Sequence, residues 1–276
     1  MSQSYESWVE QFRAEGEGLV EVRRPRPGCA VVVMNDPPRR NALSGPLAVR
    51  LRDELERLVS DPGTRTVVLT GAGGAFSAGG DLRLMRDTAW PLLETPAGAT
   101  ALWRWIRQQF GGVVRLIAQS DIPIIAAVDG PAAGVGLAFA LACDLVLLST
   151  RARLVSAFAR IGLVPEVGMS WALTRRIGYQ RAFELFVSGE ALTADDALRL
   201  GLANAVHPPE ELDAAALAWC DRIAALPEHA VRMAKPLLRS AADQSWAAAL
   251  VTEELAEPSC FTTQAHRDAV TGLLGR

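Results

Sequence analysis

The chain has 276 residues, half of them hydrophobic, and a formal net charge of −3. This length fits one large domain or a domain with an appendage, and the weakly acidic balance argues against nucleic acid as a main partner. The N-terminal MSQSYESWVEQF lacks the layout of a signal peptide, and no apolar run reaches the length of a membrane span. We therefore expect a cytoplasmic protein without a membrane partner.

The cysteines are widely spaced and include no C-x-x-C pair. They are Cys29, Cys143, Cys220 and Cys260. Neither a zinc site nor a disulfide framework is predicted, and we expect buried thiols in a reducing compartment. No metal and no separate cofactor is expected.

The first part of the chain reads as strands followed by a helix. Residues 1–18 indicate a short amphipathic helix or a loose arm. Residues 19–22 and 30–34 predict a hairpin. Ser44 is a suitable N-cap for a helix that carries a leucine stripe. A buried strand at residues 66–70 follows it.

The middle of the chain repeats this alternation. Residues 88–100 look like a loop, and a long helix covers roughly 100–119. Strands are predicted at 122–128 and 145–150, and after about residue 156 nearly all segments look helical. Alternating strands and helices predict an α/β fold with a mainly parallel sheet.

We divide the chain into three parts. They are an N-terminal arm (1–18), a core (19–205) and a C-terminal helical region (206–276). The helices after Pro208 carry apolar stripes wider than the core of one chain requires, which favours packing between subunits.

Two glycine-rich loops are the candidates for chemistry, GAGGAFSAGGDL at 71–82 and DGPAAGVGLAFALACDL at 129–145. Each follows a strand and precedes a helix, an arrangement that leaves backbone N–H groups unpaired. Two such loops at adjacent strands would aim two donors at one point, as in an oxyanion hole, where each donor contributes about 3–4 kcal/mol. A phosphate site is less favoured, because neither loop matches G-x-x-x-x-G-K-[ST] or G-x-G-x-x-G with its acidic partner. Alternatively, the glycines only permit close helix–sheet packing.

The loops belong to a larger pattern. NALS, GAGGAFSAGGDL, AVDGPAAGVGLAFALACDLVL, IGLVPE and HRDAVTGLLGR occur in the order and spacing of the crotonase (enoyl-CoA hydratase/isomerase) superfamily. The chain resembles this family over about residues 19–275. The resemblance implies a spiral of ββα units with a C-terminal helical trimerisation region, assembled as a homotrimer or hexamer. It also implies an acyl-CoA thioester as substrate, with coenzyme A as part of that substrate, and an enolate held by two backbone N–H groups.

The resemblance places functional roles on individual residues. The oxyanion donors would be the N–H groups of Ala78 and Val135. The substrate and CoA contacts would come from Arg39, Ala42, Ser77, Gly79, Gly80, Asp81, Leu82, Gly134, Ala138 and Phe158. The sequence allows two roles for each of Arg39, Arg40 and Asp81. Arg39 and Arg40 either neutralise CoA phosphates or form an ordinary solvated pair, and Asp81 is more consistent with a loop cap than with a base. Lys235 is a further candidate for CoA contact.

The departures from the family pattern bear on the reaction. Hydratases of this family use two glutamates to hold and split water, and those positions here are Ala138 and Phe158. Adding water requires a base and an acid, so the usual hydratase mechanism is not expected. One acid remains at a family active-site position, Glu166 of IGLVPEVG, where the family's double-bond isomerases carry Glu or Asp.

A single carboxylate suits an isomerase, because one group can remove a proton and return it two carbons away. Apolar neighbours would raise the pKa of Glu166 by desolvation. The alternative is that Glu166 is an acid at a helix start, complementing the helix dipole. The sequence therefore predicts an enoyl-CoA isomerase. A hydratase with atypical water handling and a catalytically inactive acyl-CoA-binding protein are the alternatives.

Overall fold

The computed structural model describes residues 5–275. Its strands are β1 (Val20–Arg26), β2 (Cys29–Met34), β3 (Thr66–Gly71), β4 (Ile124–Val128), β5 (Pro131–Ala133), β6 (Leu145–Ser149), β7 (Arg153–Val155), β8 (Ala191–Thr193) and β9 (Ala205–His207). Its helices are α1 (Tyr5–Glu15), α2 (Gly45–Val59), α3 (Leu82–Leu84), α4 (Trp90–Leu93), α5 (Gly98–Trp105), α6 (Gly111–Gln119), α7 (Val135–Ala142), α8 (Met169–Ser188), α9 (Ala194–Arg199), α10 (Leu212–Ala224), α11 (Glu228–Ala241), α12 (Trp246–Phe261) and α13 (Gln264–Leu274).

The main sheet has the strand order β1-β2-β3-β4-β6-β9. The hairpin β1–β2 is antiparallel, and every other pairing in this sheet is parallel. The central strand β4 is buried along its whole length, as continuous apolar runs in parallel sheets generally are. The predicted α/β fold is confirmed. Because the parallel strands share a direction, the loops after β3 and β4 meet at one edge of the sheet.

A second, smaller sheet has the order β5-β7-β8 and was not predicted. Each of its strands has three residues, which is too short for an alternating pattern to be recognised. Strand β5 lies inside the second glycine loop and pairs in parallel with β7. This pairing fixes the loop immediately before α7 begins.

Helix α2 begins as its sequence predicts. The Ser44 side chain accepts a hydrogen bond from the Leu47 N–H at 3.3 Å, and the leucine stripe of α2 is fully buried. Helix α1 packs against α2, with Phe12 in an edge-to-face contact with Trp105 at 5.5 Å between ring centroids. Of the two alternatives for residues 1–18, the helix is therefore observed, while residues 1–4 lie outside the described part.

The segment that looked like a loop is largely helical. Helix α3, a π-helical segment (Met85–Ala89) and α4 follow one another without a break, and a turn at 94–97 precedes α5. Pro91 lies near the start of α4, directly after the π-helical segment. The long helix expected at 100–119 is α5 and α6 joined by a second π-helical segment (Ile106–Phe110).

The C-terminal region is divided between core and surface. The boundary expected between the core and the C-terminal region, at residues 205 and 206, falls within β9. Helix α10, which follows β9, still packs on β3, β4 and β6. Helices α12 and α13, in contrast, contain no buried residue. Within residues 5–275, no helix combines the length and the apolar character needed to span a bilayer.

A buried lysine anchors helix α11 to the core. The Lys235 Nζ donates to the carbonyls of Ile117 and Ile122 at 2.8 and 2.7 Å and to the Ser120 hydroxyl at 3.0 Å. It also forms an ion pair with Asp144 at 2.8 Å. Burial lowers the pKa of Lys235, while Asp144 acts in the opposite direction. Because all N–H donors of the Lys235 side chain are occupied, this residue is not available to CoA. The suggested contact between Lys235 and CoA is therefore wrong.

Lys235→Met should lower the free energy of unfolding by about 3 kcal/mol, because it leaves buried acceptors and part of a buried ion pair without a partner. Arg181→Ala is the control, since it removes an exposed pair with Glu184 and should cost less than about 1 kcal/mol. Urea unfolding of the three proteins measures both values. Equal losses in the two variants would contradict the anchoring role.

Candidate active site

The two glycine loops are joined by backbone hydrogen bonds. The N–H groups of Phe76 and Ser77 both donate to the Pro131 carbonyl at 3.0 Å, and the Ala133 N–H donates to the Ser77 carbonyl at 2.9 Å. Loops that follow adjacent strands are thereby held as one unit. This is the arrangement that the spacing of the two loops predicted.

Asn41 organises the first loop from within, a role that the sequence analysis did not assign. Its amide nitrogen donates to the carbonyls of Ala72 and Ala75 at 3.0 and 2.7 Å, and its oxygen accepts from the Asp36 N–H at 2.8 Å. The side chain is fully buried, and the backbone has φ of 55°. Asparagine suits this position because it tolerates the left-handed region and offers both donors and an acceptor. The Asn of the NALS segment is the sequence signal that could have indicated this role.

The loops touch where two glycines face each other. Gly79 has φ of 89°, and a Cβ on it would lie 2.7 Å from the Ala133 carbonyl oxygen. Gly134 has φ of 50° and ψ of −123°, a conformation that glycine alone adopts readily, and its N–H donates to the Val155 carbonyl at 3.0 Å. A Cβ on Gly134 would lie 4.0 Å from the Gly79 Cα. A side chain at Gly79 would push the loops apart, whereas Gly134 has room for a Cβ and is favoured by its positive φ.

Some donors of the first loop are occupied within the chain. The Ala78 N–H donates to the Arg40 carbonyl at 2.9 Å, and its role as an oxyanion donor stays a prediction. The Gly79 N–H donates to the Ser77 hydroxyl at 3.1 Å. The Gly80 N–H makes no hydrogen bond to any residue between 5 and 275. Gly80 is therefore a free donor of this loop, and it directly follows Gly79, which touches Gly134 of the second loop.

Val135 supplies the donor of the second loop. It is the first residue of α7, and an N–H in the first turn of a helix has no partner within the helix. A Cβ on Gly136 would lie 2.6 Å from the Ser77 Cβ, so the start of α7 rests directly on the first loop. The free N–H of Val135 thus lies beside the loop that carries Gly80.

Glu166 is a half-buried carboxylic acid without a hydrogen-bond partner among the described side chains and backbone groups. Burial raises its pKa, and no neighbouring charge offsets this desolvation. Helix α8 begins three residues later, and the carboxylate does not cap it. The carboxylate therefore makes no capping hydrogen bond, while the interaction of this acid with the dipole of α8 stays the alternative to a catalytic role.

The backbone next to Glu166 is strained. Val167 has φ of 47°, a rare conformation for a β-branched residue, and Gly168 follows with φ of 85°. A non-glycine residue in this region costs on the order of 1–3 kcal/mol. The partly buried Val167 side chain packs against the main core, which holds the strained turn in place.

The residues that replace the two hydratase glutamates are buried and apolar. Ala138 and Phe158 are each 3% exposed. A Cβ on Gly134 would lie 3.9 Å from a Phe158 ring carbon, so the ring stands against the turn that presents Val135. Phe158 and Met169 belong to the same core cluster that Val167 packs against. The surroundings of the second loop therefore exclude water rather than bind it.

The other predicted residues lie on the first loop and the turn facing it. Arg39 is half exposed and lies 3.7 Å from Asp36, and Arg40 is exposed. Asp81 accepts from the Arg83 N–H at 2.8 Å, so it is a cap, as expected. Leu82 is 60% exposed, whereas Ala42 is half-buried beside the loop.

A cavity of about 500 Å³ lies beside this region and does not include the free donors or Glu166. Its lining includes Arg39 and Arg83, together with the carboxylates of Glu15, Asp36, Asp81 and Asp87. With carboxylates outnumbering guanidinium groups, this cavity is a poor site for phosphate. Among residues 5–275, no group of three or more His, Cys, Asp or Glu side chains is placed to hold a metal ion.

The chain is similar to known proteins over most of its length. Residues 25–274 match the enoyl-CoA hydratase/isomerase family model. A putative enoyl-CoA hydratase of Thermus thermophilus is 38% identical over 210 residues, which cover 76% of this chain and 79% of the relative.

Two solved structures illustrate the range of similar activities. Enoyl-CoA hydratase from Bacillus anthracis superposes with a TM-score of 0.85 at 27% identity, covering 93% of this chain and 96% of the other. A monofunctional enoyl-CoA isomerase from M. smegmatis superposes with a TM-score of 0.70 at 30% identity, covering 84% and 98%.

The raised pKa of Glu166 predicts a pH-dependent effect of Glu166→Gln on stability. A carboxyl group whose pKa is higher in the folded than in the unfolded state destabilises the protein as pH rises through that interval, because the folded protein must then bury the charge. Glu166→Gln should therefore raise the free energy of unfolding at pH 7 to 8, and the gain should vanish below about pH 4. Urea unfolding of both proteins across this range measures it. A gain of equal size at low pH would contradict the desolvation of Glu166.

Proposed function

This chain belongs to the enoyl-CoA hydratase/isomerase family, and from its site we propose that it shifts a carbon–carbon double bond of an acyl-CoA thioester by proton transfer. The single observation that carries the proposal is Glu166, a half-buried carboxylate with no partner and a raised pKa. An elevated pKa suits a group that must act first as a base and then as an acid near neutral pH.

In the proposed mechanism, the Glu166 carboxylate removes a proton from the carbon next to the double bond and the thioester. The electron pair moves into the conjugated system and onto the thioester oxygen, giving a dienolate. The N–H groups of Gly80 and Val135 stabilise that oxygen, and the protonated carboxyl then returns the proton to a carbon two positions away. No second acid and no water take part.

The apolar side chains support this reaction over hydration. Hydration requires two polar groups that position water, and Ala138 and Phe158 offer none. Water excluded by Phe158 cannot intercept the dienolate, and a dry site strengthens the interaction between the oxygen and its two donors.

We place the CoA portion along the first loop and the turn facing it. Ala42, Ser77, Gly79, Gly80 and Leu82 supply backbone or apolar contacts, while Arg39 and Arg40 face the phosphates. The half-exposed Arg39 and the exposed Arg40 favour phosphates held at the surface rather than in the acidic cavity.

We further propose that the chain self-associates as a homotrimer or hexamer through its C-terminal helices. Large apolar side chains on these helices are exposed in the single chain, among them Leu238, Trp246, Leu255, Leu273 and Leu274, each more than 70% exposed. Burial of such a surface against another copy would stabilise helices that have little core of their own.

Hydration is the second candidate, because the Thermus thermophilus and Bacillus anthracis relatives are described as hydratases. Incubation of the protein with a 2-enoyl-CoA in ¹⁸O-labelled water separates the two functions. A 3-hydroxyacyl-CoA product that carries the label would favour hydration. An isomerase leaves the thioester unlabelled and moves only the double bond.

Glu166→Gln should lower kcat for conversion of a 3-enoyl-CoA into the conjugated 2-enoyl-CoA by about 10²- to 10⁴-fold, the usual contribution of a positioned acid–base. The increase in conjugated thioester absorbance follows the reaction, and calorimetry with a non-reacting acyl-CoA measures binding, which should change little. Glu184→Gln, at an exposed position on α8, is the control and should keep full activity. Full activity in Glu166→Gln would overturn the assignment.

Val135→Pro tests the oxyanion donor by removing one N–H. Proline is tolerated at the first position of a helix, so α7 should form normally. We expect kcat to fall by about 10²- to 10³-fold, as when one oxyanion donor is lost. Val135→Ala shortens the side chain but keeps the N–H, so it should stay within about tenfold of the unmodified protein. Equal losses in both variants would assign the effect to the side chain instead.

A further inference from the structure

Two buried cysteines meet at the amino end of the main sheet, away from the site described above. Cys29 is the first residue of β2, and Cys220 lies on α10, 191 residues further along the chain. Their sulfur atoms are 3.1 Å apart, and each residue is 2% exposed. A disulfide bond requires about 2.05 Å, so the two sulfur atoms need to approach by only about 1 Å.

Contacts on both sides of the pair hold helix and strand together. Arg65 donates to the carbonyls of Ala224 and Leu226, both at 3.0 Å, at the end of α10. Arg26, in the strand that precedes Cys29, forms an ion pair with Asp221 at 3.3 Å. The thiols are therefore positioned by contacts that do not involve sulfur.

The apolar side chains around Cys29 and Cys220 also hold the two cysteines in place. Cys29 and Cys220 share one apolar cluster, and the remaining buried residues of that cluster are Val68, Ile125, Ala127, Leu147, Leu212 and Ala216. These side chains come from β3, β4, β6 and α10, so the cluster joins helix and sheet. Other cysteines are not in this cluster, since Cys143 donates to the Phe139 carbonyl elsewhere and Cys260 is on α12.

We propose that Cys29 and Cys220 form a reversible intramolecular disulfide that links α10 to β2. The reaction breaks two S–H bonds and forms one S–S bond, and two electrons and two protons pass to an oxidant. With the diazene oxidant diamide, one thiolate adds to the N=N bond. The second sulfur then displaces the nitrogen, so that diamide leaves as its hydrazine.

The contact between the two sulfur atoms makes one thiol of the pair easier to deprotonate than the other. Contact with Cys220 lowers the pKa of Cys29, because the neighbouring thiol stabilises the Cys29 thiolate by a hydrogen bond. The same contact raises the pKa of Cys220, which keeps its proton until the second step.

The disulfide should change stability without changing the site. Strand β2 separates Cys29 from the loops at the other end of the sheet by six residues, or about 17 Å. A cross-link that closes so long a loop restricts the unfolded chain strongly, and the apparent Tm should rise by on the order of 10 °C.

The experiment uses the full chain, treated with diamide about 10 °C below its Tm, where local opening gives the oxidant access to buried thiols. Mass spectrometry of the intact chain should show the loss of two hydrogen atoms. Peptide mapping without reductant should link the Cys29 peptide to the Cys220 peptide. The Tm should rise and return to its starting value after dithiothreitol. Because no enzymatic readout is used, the result is independent of the proposed isomerase activity.

Matched variants complete the test. Cys220→Ala and Cys29→Ala should lose both the mass change and the Tm rise, whereas Cys143→Ala and Cys260→Ala should keep both. Four free thiols after treatment of the unmodified protein would overturn the proposal, as would a link between any other two cysteines. The mapping on the unmodified protein decides the question even where a variant fails to fold.

Discussion

The structure depends most on the backbone hydrogen bonds that join the loops after β3 and β4. The double contact of Phe76 and Ser77 with the Pro131 carbonyl holds the loops together, and Asn41 satisfies carbonyls that would otherwise be buried without partners. These bonds occupy the N–H groups of Phe76, Ser77, Ala78 and Gly79, whereas the N–H of Gly80 keeps no partner among residues 5–275. In the proposed mechanism, Gly80 and Val135 therefore act as oxyanion donors without breaking a hydrogen bond that joins the loops.

The environment of Glu166 differs from that of the loops, because the Glu166 carboxylate is left without a hydrogen-bond partner among the described residues. An unpaired half-buried carboxylate is destabilising, and the neighbouring Val167 adds backbone strain. Core packing around Phe158 and Met169 offsets both costs. Unfavourable features that persist side by side in an otherwise satisfied fold are typical of functional sites. In the proposed mechanism, the loops hold the intermediate, whereas this acid determines which product forms from it.

Local patterns predicted the elements that local interactions stabilise. The hairpin, the Ser44 cap and the parallel strands depend on periodicity, turns and caps that a sequence displays directly. Three-residue strands such as β7 carry too little pattern, and the helical course of residues 88–93 was hidden by Pro91 and small residues. The sequence could not show that the Ala78 N–H is occupied and the Gly80 N–H free, because this depends on the carbonyl of Arg40, which reaches the loop only in the folded chain.

The C-terminal region shows why an apolar stripe alone does not assign a helix to an interface. Helix α10 buries its stripe on the sheet, and α11 is joined to the core through Lys235 and Asp144. Helix α11 nevertheless exposes Leu238, and α12 and α13 contain no buried residue at all. The transition from core to exposed helices therefore comes after α11, well beyond residue 206. Contacts that fix α10 and α11 to the sheet, including the Cys29–Cys220 pair, would give the last two helices a firm base for association with another copy.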